Sequence, residues 1–426
     1  VTTSYHFDQV SDTLDKNEHY NQITGTPWYR DAEYETFSEA EYQRRYTLLR
    51  EKMVERGVAC VIAPGGGNNW GFGGALVWLS GMRMRDSALA QYVVFPLEGE
   101  PTLVCGYDGP YLEAVRRHVV IEDVRSSEGG QFGRVMADRI EELGLQASRI
   151  GLLESSPGRN LDVMPYNHFQ TLKQRLPQAE FELLKGLYHE MLYLKSPEEI
   201  AAIERAGTLC DVGYEALCQT ARPGITETEL MAVVAEAVIN GGGAPGLMII
   251  GSTPTSNPAL PFGNTRPSHR VLQAGDVIVN ELSAGVMGYT AQFGNPVCVG
   301  EPAPAVRRFW DEVVQPGFNL LAGFMRPGVK AEELQEAGLW YNNHGCQGRP
   351  LLLHGMDITT SRPRIGRERI IAFDFERTFK PGMTLMLEPD AITADGRLGL
   401  FVGRTFVIAE DGGYPVSKTP VELTVV

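Results

Sequence analysis

Residues 194–207 read LKSPEEIAAIERAG, and the opening of a helix is written into the third to sixth of them. Ser196 can accept a hydrogen bond from a backbone N–H of the first turn, and Glu199 can return one to the cap. Pro197 has the φ that the first helical position needs and lacks the N–H that would go unpaired there. Ile200, Ile203, Leu209 and Val212 then recur at the spacing of one buried helix face. A helix opened this clearly, after a stretch of alternating strand and helix patterns, marks a domain boundary at residue 194.

Upstream, residues 1–38 mix aromatic and charged residues without a period and read as an irregular arm. Ser38 with Glu41 starts a helix whose face carries Tyr42, Tyr46, Leu49 and Met53 and which should end near Gly57. Strands are expected at Val58–Ala63, Tyr92–Phe95, Pro101–Val104 and Ile150–Leu153, and helices at Gly130–Leu143 and Asn167–Arg175, so residues 39–193 form an alternating α/β domain. The run Gly65-Gly66-Gly67-Asn68-Asn69 lacks the Gly-Lys-Ser/Thr ending of a phosphate cradle and does not fit the dinucleotide fingerprint, so it reads as a flexible loop. Downstream, over residues 194–426, a second helix spans Glu227–Ile239 and stops at Gly241-Gly242-Gly243. Strands follow at Leu247–Ile250, Asp276–Leu282, Val297–Val299, Thr384–Leu387 and Arg404–Ala409, with one helix over Ala305–Phe324.

The 426 residues are 43% hydrophobic, enough for two cores, and the net charge of -15 leaves no broad basic surface for a phosphate backbone, which argues against nucleic-acid binding. Cys60, Cys105, Cys210, Cys218, Cys298 and Cys346 are scattered, with no C-x-x-C pair, so neither a disulfide framework nor a zinc knuckle is indicated. No apolar run reaches the roughly 18 residues of a membrane span, and the first residues are not those of a signal peptide, so a cytoplasmic protein without membrane attachment is expected.

The strings LKSPEEIAAIERAG (194–207), QAGDVIV (273–279), Gly288-Tyr289, RPGVKAEEL (326–334), LLLHGMD (351–357), KPGMTLMLEPD (380–390) and VIAEDG (407–412) resemble, in order and spacing, the creatinase/aminopeptidase P superfamily. EYQRRYTLLREKMVERGVACVIA and WLSG (78–81) resemble the domain that precedes it in creatinase and prolidase. The resemblance covers nearly the whole chain. It implies an α/β protein in which a creatinase-type N-terminal α/β domain precedes a C-terminal pita-bread α+β domain, working as a homodimer.

In the metallopeptidases of that fold two ions are held by two aspartates, a histidine and two glutamates, whose carboxylates bridge the ions and acidify a shared water. Anchoring the pattern on Gly275-Asp276 and Gly288-Tyr289 puts Glu281 and Gln292 at the aspartates and His354 at the histidine. The glutamates fall on Glu388 and Gly403, with Arg404 beside the latter. Gln292 and Gly403 bring no negative charge, so the resemblance implies no metal pair and no cofactor, with a single ion on Glu281, His354 and Glu388 as the remaining metal option.

What is left resembles creatinase, which works in this pocket without metal. His354, Glu388 and Glu281 are the expected catalytic groups, a histidine beside a carboxylate being able to move a proton near neutral pH. Tyr289, Gln292 and Arg404 are expected to bind substrate, as is Asn264, which falls where creatinase has its catalytic histidine. Arg83 and Arg85, after WLSG, are candidates for a substrate anion. The expected function is metal-independent hydrolysis of a C–N bond in a small polar molecule. A C–S or C–O lyase working by β-elimination, similar to DMSP lyase, is the first alternative, and a non-catalytic binding protein of the same fold is the second.

Overall fold

The computed structural model of the chain describes residues 35–65, 74–82, 90–154, 164–347, 351–358, 360–371 and 377–426. The arm read over residues 1–38 lies outside them up to residue 34, and so do Gly66 to Asn69 of the glycine-rich loop. The described residues up to Leu187 make one compact unit and those from Tyr188 to Val426 a second, a division that falls just ahead of the boundary read at 194.

In the first unit the Glu39–Arg56 helix starts where the sequence places it, Ser38 Oγ accepting from Glu41 N at 3.1 Å. It stops at Gly57, whose φ of +64° lets its N–H turn back to the last carbonyls. Six strands form the sheet: β1 (Cys60–Gly65), β2 (Gln91–Pro96), β3 (Thr102–Cys105), β4 (Asp123–Ser126), β5 (Arg149–Leu152) and β6 (Glu180–Leu183), in the order β4-β3-β2-β1-β5-β6. Pairings β1 to β2 and β2 to β3 are antiparallel, the others parallel. Cys60, Ile62, Tyr92 and Val94 pack against Phe132, Met136 and Ile140 of the Phe132–Glu142 helix, which buries the apolar face that its periodicity announces.

The second unit opens with the capping box at Ser196 and Glu199, both reciprocal bonds present, and the Pro197–Thr220 helix. Its sheet has eleven strands. They are β7 (Ala244–Pro254), β8 (Asp276–Val286), β9 (Tyr289–Gly294), β10 (Val297–Cys298), β11 (Leu351–Met356), β12 (Thr360–Gly366), β13 (Ile370–Ile371), β14 (Thr384–Leu387), and, after a separate two-stranded ribbon of β15 (Asp390–Ile392) and β16 (Gly399–Phe401), β17 (Gly403–Ala409), β18 (Gly412–Pro415) and β19 (Thr424–Val425). The main path runs β13-β12-β11-β14-β17-β9-β8-β10-β19, with β7 also on β8 and β18 on β17. Helices Pro197–Thr220 and Glu227–Asn240 cover β7, β8 and β9. Residues 304–343 supply helices whose Trp310, Phe318, Leu334 and Tyr341 pack with Leu353, Leu385, Leu387, Phe406 and Ile408. The single helix expected over 305–324 is instead Pro304–Phe309 and Gln315–Ala322 joined by a π turn at Trp310–Val314. Pro316 explains the break, because it has no N–H to continue the α ladder. None of the described helices is long and apolar enough to cross a membrane.

One buried carboxylate organises the edge next to β7. Thr226 and Glu229 form a second capping box, which puts Glu227 inside the protein. Its oxygens accept from Ser252 N (2.7 Å) and Oγ (2.8 Å), Asn264 Nδ2 (3.0 Å), and Ser268 N (3.0 Å) and Oγ (2.6 Å). Burial pushes the Glu227 pKa up, but these hydrogen bonds outweigh it and hold the group below its usual value. A carboxyl depressed in the folded state stabilises the fold above its unfolded pKa, and that contribution disappears as pH falls through the folded one. We expect Glu227→Gln to cost about 2–3 kcal/mol at neutral pH and to flatten the loss of stability below about pH 4. Urea unfolding across a pH series checks this; a variant whose curve runs parallel to the wild type would place the acid sensitivity elsewhere.

Candidate active site

Strands β11 and β14 are antiparallel neighbours in which Leu353 pairs with Leu387 and His354 with Met386. Leu353, Leu385 and Leu387 point into the helical core. Side chains alternate along a strand, so His354 and Met386 emerge on the opposite face. Glu388, just past the end of β14, is fixed there by its N–H to Leu352 O at 2.8 Å. His354 and Glu388 are buried, with Nε2 3.5 Å from Oε1. His354 Nδ1 lies 2.8 Å from Gly355 O, and since a carbonyl only accepts, Nδ1 carries a hydrogen. Nε2 is turned to the Glu388 carboxylate, so the two groups form an imidazole–carboxylate pair.

A second pair lies two strands away. Gln292 Nε2 donates to Glu281 Oε1 at 3.0 Å, and both side chains are buried. Thr405 of β17 fixes the Gln292 backbone, its Oγ1 accepting from Gln292 N at 2.9 Å. Strand β17 runs between β14 and β9, so the backbones carrying the two pairs are about 10 Å apart.

Register explains what fills that interval. Leu387 pairs with Arg404 and Leu282 with Phe293, so Glu388 stands beside Gly403 and Glu281 beside Gly294, and these two glycines are partners. A Cβ on Gly403 would strike Met386 Cε and come within 3.0 Å of the Phe401 ring; one on Gly294 would strike the same ring. Met386 and Phe401 thus form an apolar floor between the glutamates, continued by Val279 and Met356 and flanked by the partly buried Leu260 and Phe262.

Three expected substrate-binding residues lie elsewhere. Arg404 follows Gly403 and so points to the other face, over the Phe293 ring at 4.1 Å. There it donates to Gly294 O, Gly403 O, Asn295 Oδ1, Thr419 O and Pro420 O, and burial pushes its pKa down to about 10. Tyr289, also buried, donates to Glu199 Oε1 of the Pro197–Thr220 helix. Asn264 is spent on Glu227. Arg83 and Arg85 fall outside the described residues. Reading by sequence missed Thr405, Met386 and Phe401, whose roles depend on cross-strand register; the only local signal was the apolar run around Met386.

The metal pair held by the metallopeptidases of this fold does not fit this face. Glu281 is engaged by a glutamine, Gly403 offers no donor, and Met386 and Phe401 occupy the space above it. Among the described residues no three His, Cys, Asp or Glu side chains converge so as to hold an ion.

An α/β unit followed by this helix-backed, mainly antiparallel sheet, with its polar groups on the face away from the helices, defines a protein of the pita-bread class. The chain carries a domain of the Metallopeptidase family M24, matched over residues 201–410, within the pita-bread superfamily of creatinase and aminopeptidase P. It is 26% identical over 406 residues to a probable dipeptidase PepE of Mycobacterium tuberculosis, covering 92% of this chain and 98% of that one. It is 27% identical over 266 residues to an Xaa-Pro dipeptidase of Pyrococcus horikoshii, covering 61% of this chain and 72% of the relative. The X-Pro aminopeptidase of Thermotoga maritima shares the fold, with a TM-score of 0.74 at 20% identity over 89% of this chain and 99% of the other.

These relatives make the chain a hydrolase. They also correct the function read from the sequence. Metal-independent cleavage of a small polar molecule, β-elimination and a non-catalytic binding role are all overturned, because the family is one of metallopeptidases and the relatives matched over most of the chain are named dipeptidases.

Proposed function

We propose that the chain hydrolyses the peptide bond of small peptides, dipeptides foremost. The observation that carries this reading is the buried His354–Glu388 pair, set on the sheet face away from the helical core of a chain whose relatives are named dipeptidases. Hydrolysis needs a group that accepts a proton as water adds to the carbonyl carbon and returns one to the amine as the C–N bond breaks. With Nε2 turned to the Glu388 carboxylate, the pair can take the proton of the attacking water and return it to the leaving nitrogen. The apolar floor of Met386 and Phe401 beside it keeps competing water away and strengthens electrostatic contacts to the bound peptide.

A panel of dipeptides, Xaa-Pro sequences included, tests the reading by release of free amino acids, with and without added Mn2+, Co2+ or Zn2+. Turnover of at least one dipeptide, suppressed in Glu388→Gln by about 100-fold or more, is the expected result. No release from any dipeptide under any of these conditions would sink it.

A further inference from the structure

We infer that Leu260 and Phe262 are the wall that receives the substrate's side chain and that they select peptides carrying a bulky apolar residue, a proposal that rests on the peptide reading above. Both lie on the connection between β7 and β8. Met356 shares a face of β11 with His354, and Val279 shares one of β8 with Glu281, so the cluster of Val279, Met356, Met386 and Phe401 marks the face that carries the pair. These four are at most 2% exposed, whereas Leu260 and Phe262 pack on them and stay partly exposed. The apolar surface that a substrate meets there is therefore theirs. The Phe262 ring stands edge-on to Phe401, with centroids 5.7 Å apart, and Phe401 comes within 3.0 Å of the Cβ that Gly403 lacks, beside Glu388. One ring thus separates the wall from the strand position next to the pair, a span that an extended dipeptide of roughly 7 Å and its side chain can cover.

The wall is fixed on both sides. Leu260 N donates to Arg397 O at 2.8 Å, and Leu260 O accepts from Gly399 N at 3.0 Å. The Arg397 guanidinium donates to Pro258 O at 3.0 Å and to Asn257 Oδ1 at 2.8 Å. Beyond Phe262, Asn264 O accepts from Ile250 N at 3.1 Å while its amide donates to Glu227. Position 399 admits only glycine, because a Cβ there would lie 1.8 Å from Pro261 O. A preorganised apolar surface binds without an ordering cost, so it discriminates between side chains by the area each one buries. A charged side chain laid on it loses water and gains no partner.

The test compares kcat/KM for Phe-Ala with Asp-Ala and for Ala-Phe with Ala-Asp, the larger of the two ratios being the apolar preference. We expect a preference of roughly 10- to 100-fold in the wild type and of a few-fold in Phe262→Ala, the loss appearing chiefly in KM for the phenylalanine peptide. Leu260→Ala should lower the ratio by about threefold or more. A wild type without preference, or a ratio untouched by both substitutions, as when all four peptides slow alike, would overturn the wall. If no dipeptide is cleaved, the peptide reading falls and the wall is read by binding alone. L-phenylalaninamide should then raise the wild-type melting temperature more than L-alaninamide, which has the same charge, and the difference should vanish in Phe262→Ala; equal responses to the two amides in the wild type would overturn it.

Discussion

Replacing His354 by alanine lowers kcat for dipeptide hydrolysis by about 10²- to 10⁴-fold and leaves the protein folded. The imidazole is where the site keeps its movable proton: Nδ1 is tied to Gly355 O, which fixes the ring, and Nε2 is turned to Glu388. Alanine removes both nitrogens, and no neighbouring group can take over at the same position. His354→Gln is the sharper control. It retains a donor for Gly355 O but cannot carry an exchangeable proton near neutral pH, so it should be as inactive as alanine. Circular dichroism and single-turnover assays on both variants check the result, and wild-type turnover in either would remove His354 from the chemistry.

The largest effect on stability is expected at Arg404. Its guanidinium joins β17 to Gly294 and Asn295 and to Thr419 and Pro420, and sits 4.1 Å from the centre of the Phe293 ring. Arg404→Ala strips donors from buried carbonyls and opens a cavity among aromatic rings, and we expect it to cost about 3–5 kcal/mol. Arg404→Lys should recover only part of this, since an ammonium has three donors and no planar fork. Urea midpoints measure both. A loss below about 1 kcal/mol for alanine would show that the residues around 419 and 420 are held by other means.

How far the sequence could be read depended on how local each signal was. The capping boxes at Ser196 and the helix start at Ser38 were legible because a cap is decided within four residues. Glu388 stood out as an acid at the end of an apolar run, and His354 as a histidine inside one. Arg404 and Tyr289 were placed on the wrong side of the sheet. Strand faces alternate residue by residue, so a residue next to a ligand position, as Arg404 is to Gly403, leaves the sheet on the opposite face. Glu227 escaped notice because an acid in a first helical turn is ordinarily read as serving the helix dipole. Only the fold shows that Ser252 of β7 and Ser268 from the loop before β8 converge on it.

The glycines at 294 and 403 have a bearing on protein engineering. An attempt to graft an acidic side chain onto position 403 would meet Met386 and Phe401 already seated there. The productive order of substitutions begins with trimming Met386 and re-siting the Phe401 ring, and only then adds the carboxylate. Met386 Cε ends a flexible side chain and can swing aside, so the Phe401 ring, 3.0 Å from the added Cβ, is the neighbour that latches the present chemistry of the domain.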